Sequence, residues 1–256
     1  MRSKRAILTG TALALFARIA AAMVTLAVAP ASVFVGVLVR HSPFAFACMS
    51  RSSSTSRASH AAPARGKPHT VRIIGGDWKR TPLPVLSLEG LRPTPDRVRE
   101  TLFNWLGQRL DGWRCLDLFA GTGALGFEAA SRGAARVLMV ERNAKAARQL
   151  HEVRARLSAQ AVEVVEADAL RLAAGLPRGA FDLVFLDPPF DEPLLPRALE
   201  SAAPLVAEHG YLYAESGEPL ESLELARIEA LSGWHIVRHG RAGAVHYHLL
   251  QRENDE

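Results

Sequence analysis

LDLFAGTGALGFEAA, residues 116–130, decides the architecture. The apolar run over 114–119 reads as a short strand, and AGTGALG then opens a helix that runs to about residue 131 and stops near Gly133. Gly121 and Gly123 let the backbone approach a ligand where a Cβ would clash, and the helix that follows offers free amides. Gly126 completes a literal GxGxxG, and Glu141 stands 20 residues beyond Gly121, so the stretch also satisfies a dinucleotide-binding fingerprint. Asp117 separates the two readings. Beside a pyrophosphate it would face like charge, whereas beside a sulfonium and an amino-acid ammonium its carboxylate is favourable.

Outward from this unit the chain alternates strands and helices. Strands are expected over 137–140, 162–165, 181–186 and 211–214, with helices over 143–157, 169–174 and 194–206 between them. The strands are uninterrupted apolar runs, which is the mark of a sheet buried on both faces. The fold class is therefore α/β, a doubly wound and mainly parallel sheet. The C-terminus breaks the pattern, because the runs 234–238 and 245–250, joined across GRAG, read as an antiparallel strand pair. Upstream, Thr94 and Pro95 read as an N-cap and first helical residue, and Val98, Leu102, Trp105 and Leu106 recur at helical spacing, giving a helix over 95–110. Three regions follow: an extension over 1–70, a hairpin or loop plus helix over 71–112, and the sheet domain over 113–253.

Of the 256 residues 48% are hydrophobic and 22% charged, a globular balance. The net charge of +5 is unevenly spread: residues 1–70 hold nine Lys or Arg and no acid, while 71–256 hold 22 basic and 26 acidic residues. Bulk basicity thus says nothing direct about the ligand of the folded part. Within 71–115 eight basic residues face five acidic ones, a modest excess suited to phosphate. The two cysteines, Cys48 and Cys115, show no metal spacing and no disulfide framework, which fits a reducing cytoplasm. Cys115 sits in an apolar strand as a small buried side chain.

The extension opens with Arg2, Lys4 and Arg5, and 19–39 forms 21 uncharged residues containing Pro30. That length suits a membrane span or a signal sequence. The Ser, Ala, Pro and Arg composition of RSSSTSRASHAAPARGKPH, residues 51–69, is that of a disordered linker. A start codon placed too far upstream is the third reading. Membrane contact is expected only if residues 1–40 are truly expressed, and the rest is expected to be cytoplasmic.

Acids punctuate the strand ends, which in an open α/β sheet line the ligand crevice. Glu141 is placed to accept ribose hydroxyl hydrogens, and Asp168 either to accept from an adenine amino group or to cap the short helix over 169–174. In VFLDPPFDEP, residues 184–193, Asp187 ends the fourth strand beside the first. Pro188 and Pro189 stiffen the exit and remove two donors. Phe190 then presents a ring beside a carboxylate, a fit for a planar base with an exocyclic amine; the bland alternative is a rigid exit with Phe190 in the core. His246 and His248 alternate along one strand face, toward RNA or solvent, and no metal or covalent nucleophile is called for.

RIIGGDWK (72–79), LRPTPDRVRETLFNWL (91–106), LDLFAGTGALGFEAASRGA (116–134), FLDPPF (185–190) and AVHYHLLQRE (244–253) together closely resemble the RsmD-type 16S rRNA guanine-N2 methyltransferases. The resemblance implies a class I S-adenosylmethionine-dependent methyltransferase with a seven-stranded sheet, acting on the 2-amino group of one guanine in 16S rRNA. It implies S-adenosyl-L-methionine as cofactor, and the 30S subunit or an assembly intermediate as partner of a monomer. Carried over, Asp117, Gly121 and Gly123 resemble the methionine-side motif, Glu141 the ribose binder and Asp168 the adenine contact, with Phe119, Arg142 and Ala169 also expected at the cofactor, and Asp187, Pro188, Pro189 and Phe190 form the catalytic loop. Arg92, Arg97, Arg99, Lys79 and Arg80 are the expected RNA contacts, with Arg97 three residues from Glu100 and able to pair with it. The family's WRGR-like run is here Trp78, Lys79, Arg80 and Thr81. A loop over 85–95 is expected to close over substrate. Adenine methylation in DNA or RNA, an RNA-binding protein without transfer, and a dehydrogenase are the competing functions; Asp117 and DPPF count against the last.

Overall fold

The computed structural model describes residues 70–85, 94–190, 193–220 and 228–253. The apolar extension before Thr70, Arg92 and most of the expected loop over 85–95 lie outside the described residues. Among the described residues no helix is long and apolar enough to cross a membrane.

Seven strands form one sheet in the order β5-β4-β3-β6-β7-β9-β8. Their bounds are β3 Arg114–Asp117, β4 Arg136–Glu141, β5 Val162–Glu166, β6 Phe181–Leu186, β7 Val206–Ser216, β8 Trp234–Ala242 and β9 Val245–Arg252. The first five of these run parallel; β9 pairs antiparallel with β7 and with β8. Strand order reverses between β3 and β6, and that switch point opens a crevice at the carboxyl ends of the strands. The expected doubly wound, mainly parallel sheet with a terminal antiparallel pair is the observed one.

One face of the sheet carries Cys115, Val137, Met139, Leu183, Phe185, Tyr213 and Leu249 against helices α1 (Asp96–Trp105), α2 (Ala124–Ser131) and α3 (Ala144–Arg156). The other carries Leu116, Leu138, Val184, Leu186, Leu212 and Ala214 against α4 (Ala169–Ala173) and α5 (Leu195–Ala202). Residues of opposite parity in each strand thus enter two separate cores, which is why the strands read as continuous apolar runs.

Local chemistry sets the element ends. Asn143 caps α3 by accepting from Lys145 N and Ala146 N. The helix expected over 194–206 stops at Ala202, where a 3-10 turn at Ala203–Leu205 takes over because Pro204 has no N–H to continue it. The helix expected over 95–110 is shorter, ending at Trp105. Its cap also differs: Pro95 holds the N-cap position with no side-chain bond, and Thr94 has another partner.

A small hairpin, β1 (Thr70–Arg72) with β2 (Pro82–Pro84), rests on the C-terminal end of α2. Asp77 N donates to Ser131 O at 2.8 Å and Ile74 N to Glu128 Oε2 at 2.8 Å. Gly76, at φ 71°, lies so close that a Cβ would overlap the Ser131 carbonyl.

Candidate active site

The sheet register places the acids. Asp117 pairs with Met139 on β4 and Phe185 on β6, while Phe185 pairs with Tyr213 on β7. Two residues farther along these strands, on the same face, come Glu141, Asp187 and Glu215. The strand ends therefore present a row of three carboxylates with Asp117 one pleat below it. Together they line a cavity of about 420 Å³.

Asp117 is 1% exposed; its Oδ2 accepts from Gly126 N at 3.1 Å, and its Oδ1 is buried with no hydrogen-bond partner. Burial, reinforced by the charge of Asp187, pushes its carboxyl up to about 7. A buried carboxylate oxygen at a cavity wall is a receptor for a cation, so the residues present fit a sulfonium bearing an ammonium group. Glu141 takes one backbone N–H on each oxygen, Gly121 N at 2.9 Å and Asn143 N at 2.7 Å, leaving a further lone pair on each for hydroxyls. Asp168 caps α4 by accepting from Arg171 N at 2.9 Å and also lines the cavity, a position compatible with either expected use. Phe119, Gly121, Arg142 and Ala169 also line it.

Gly123 does not line the cavity. It caps α2 at φ 78°, and a Cβ there would sit 2.6 Å from Phe127 and 2.7 Å from Leu150, so the glycine serves the turn and helix packing. Thr122, Ala124 and Leu125 line the wall beside it instead.

At the far side Asp187, Pro188, Pro189 and Phe190 all face the cavity. Phe190 is 46% exposed, the large apolar side chain left open among the described residues, and not packed into the core. Thr94 Oγ1 donates to Asp187 Oδ2 at 3.1 Å. Desolvation raises the Asp187 carboxyl to about 7 despite that bond. Glu215 is 2% exposed and accepts from the Tyr213 hydroxyl at 2.9 Å on Oε1. Burial first and the Asp187 charge second push it well above the usual carboxylate range. Thr94 was expected only as a helix cap and Glu215 not at all, although Glu215 carries the signal that marked Asp187, an acid closing an apolar strand.

The expected RNA contacts separate. Lys79, Arg80 and Arg97 are exposed and outside the cavity wall. Arg99 is fully buried, paired with Glu128 at 3.2 Å and Asp96 at 2.5 Å, and cannot reach a phosphate. Its expected role is overturned because α1 turns it toward α2 rather than solvent. The i,i+3 ion pair on α1 is accordingly Asp96–Arg99, not Arg97–Glu100. The histidines differ from expectation too: β8 brings His239 against His246 and His248, with ligand nitrogens within 4.8 Å of one another. The His239 and His248 rings stack at 4.4 Å, 5° from parallel, and His248 Nε2 accepts from Leu220 N at 3.3 Å. Cys115 is buried and its thiol pKa raised by desolvation, which leaves it inert.

Residues 71–251 match the family described as conserved hypothetical protein 95. The ribosomal RNA small subunit methyltransferase D of Escherichia coli K12 is 42% identical over 186 residues, 72% of this chain and 90% of the relative. The protein of the same name from Haemophilus influenzae is 40% identical, across 71% of this chain and 93% of its own length. The solved structure of Escherichia coli yhhF superposes with a TM-score of 0.62 at 38% identity, over 72% of this chain and 99% of that one. On these matches and the shared sheet architecture, the chain belongs to the RsmD-type small-subunit ribosomal RNA methyltransferases, enzymes of the class I S-adenosylmethionine-dependent fold.

Proposed function

We propose that this chain methylates the 2-amino group of one guanine in 16S rRNA. The observation that carries the reading is Asp187, closing β6 in the cavity that holds Asp117 and Glu141 and leading through two prolines to the open Phe190 ring. S-Adenosylmethionine supplies an electrophilic methyl group on a sulfonium. Asp117 Oδ1 holds the positive end of the cofactor, Glu141 its ribose hydroxyls, and Asp168 with Ala169, Arg142 and Phe119 the surrounding wall. Phe190 stacks on the target base.

An aryl amine is a poor nucleophile because its lone pair is delocalised into the ring. Asp187 and the Pro188 carbonyl accept the two N2 hydrogens and turn that lone pair toward the methyl, so alignment supplies much of the rate. Methyl transfer from the sulfonium to N2 would leave a neutral thioether and set one N2 proton free. An Asp187 carboxyl poised at about 7 is matched to take it near neutral pH.

Lys79, Arg80 and Arg97 supply phosphate contacts from the segment 71–112, with Arg92 expected to join them. The partner in this reading is 16S rRNA within the 30S subunit or an assembly intermediate, bound by a monomer in the cytoplasm. Incubating the protein with labelled cofactor and naked 16S rRNA, 30S particles or DNA, then mapping the label, tests it. Label at N2 of one guanine is expected; label in adenine or in DNA overturns the reading. Asp187→Ala lowers transfer by about 10³-fold or more while cofactor affinity stays within a few fold. Loss of cofactor binding in that variant means the role of Asp187 is misassigned.

A further inference from the structure

We propose that Glu215 forms, with Asp187, a two-carboxylate reader of the guanine Watson–Crick edge, in which Glu215 accepts the N1 hydrogen and so selects guanine over adenine. The proposal rests on the function proposed above and deepens it.

Register brings the two groups together. Leu186 pairs with Ala214, so Asp187 and Glu215 leave neighbouring parallel strands side by side and on the same face. Both line the cavity that Phe190 borders. Two hydroxyls hold the pair: Thr94 Oγ1 donates to Asp187 Oδ2 at 3.1 Å and also faces Glu215, and the Tyr213 hydroxyl donates to Glu215 Oε1 at 2.9 Å. Tyr213 is itself fully buried, which fixes the orientation of Glu215. The pair is thus built, desolvated and rigid.

Two adjacent buried carboxyl groups are costly unless matched by donors. Guanine offers two in a row, N1–H beside the N2 amine. Adenine places a lone pair at N1, which would face the Glu215 carboxylate. With Asp187 and the Pro188 carbonyl engaged on N2, Glu215 is the acid left to take N1–H. Burial raises both carboxyl groups in the free protein, and donors on the bound base offset that by favouring the ionised, accepting form.

The test compares the target guanine with 2-aminopurine at the same position in reconstituted 30S particles. 2-Aminopurine keeps the 2-amino group but has an acceptor at N1. Wild-type full chain is expected to prefer guanine by about 100-fold in kcat/KM. Glu215→Gln can donate from its amide to that N1, so the preference narrows by about 10-fold or more, while cofactor affinity holds within about twofold. A purely structural role for Glu215 lowers both rates together with the ratio unchanged, and that result overturns the proposal. The wild-type comparison needs no variant to fold, and equal rates on the two bases also overturn it. If wild type labels neither base, the proposed function itself has failed, an outcome distinct from a lost preference.

Discussion

Asp117 carries a desolvation cost that a cationic ligand would offset. Its carboxyl is buried, one oxygen has no partner, and it titrates near 7 in the free protein. Below that value it is protonated and offers a cation little; above it the ionised form waits for one. Affinity for the cationic cofactor is therefore expected to rise as pH goes from about 6 to about 8 and then level, with protons released on binding. Calorimetry in buffers of different ionisation enthalpy measures both, and a pH-independent affinity would falsify this role. Asp117→Asn weakens binding by about 10-fold or more and flattens the profile. The same sign governs stability. Asp117 and Asp187 both have folded values raised above their ordinary 3.8, so their contribution is complete below about 4 and is lost as pH rises through about 7. Thermal unfolding of the free protein across that range should show the decline, and saturating cofactor should offset it.

At the scale of elements, the start of α1 acts on the end of β6. Thr94 spends its hydroxyl on Asp187 rather than on its own helix. Thr94→Val keeps the shape and deletes the donor, a change of about 1–1.5 kcal/mol, so transfer should fall about 10-fold with cofactor affinity unchanged. A matching loss of cofactor affinity would instead place Thr94 among the cofactor contacts. The strand-to-helix turn has a different constraint. Gly123→Ala meets both a left-handed φ of 78° and the Phe127 and Leu150 side chains, and it should destabilise the fold by about 1–3 kcal/mol, read as a lowered Tm. An unchanged Tm would show that α2 can shift to make room.

Across the whole molecule, Glu128 joins parts that are far apart in sequence. This fully buried acid takes Ile74 N from the hairpin, Arg99 Nη1 from α1 and Arg132 from its own helix. Arg132 also lies over the Phe103 ring at 4.5 Å. Removing the acid leaves two buried guanidinium groups without their shared partner. Glu128→Ala should cost about 3–5 kcal/mol and loosen hairpin and α1 together, seen as coordinated loss of amide-exchange protection in both. Loosening confined to one of them would show that Glu128 does not couple them. The segment bearing the exposed Lys79, Arg80 and Arg97 is thus tied to the helix that opens on the cavity, although 71–256 as a whole carries a surplus of acids, 26 against 22 basic residues.

Element type, element order and the chemistry of the strand ends were legible in the one-dimensional pattern. Apolar runs, the glycine turn and acids such as Asp117, Glu141, Asp168 and Asp187 are local features, and local periodicity determines them. Contacts set by sheet order and register were not. Arg99 read as an exposed cation because its own helix does not reveal that Glu128, 29 residues on, is packed against it. Thr94 read as a cap because its partner lies 93 residues away. Glu215 passed without notice until the pairing of β6 with β7 set it beside Asp187, and His239 until β8 folded back on β9. The sequence by itself determined the fold and the acids that close its strands. Only the tertiary structure decided which side chains share a wall, because a side chain's partners depend on which distant segments the sheet brings within reach.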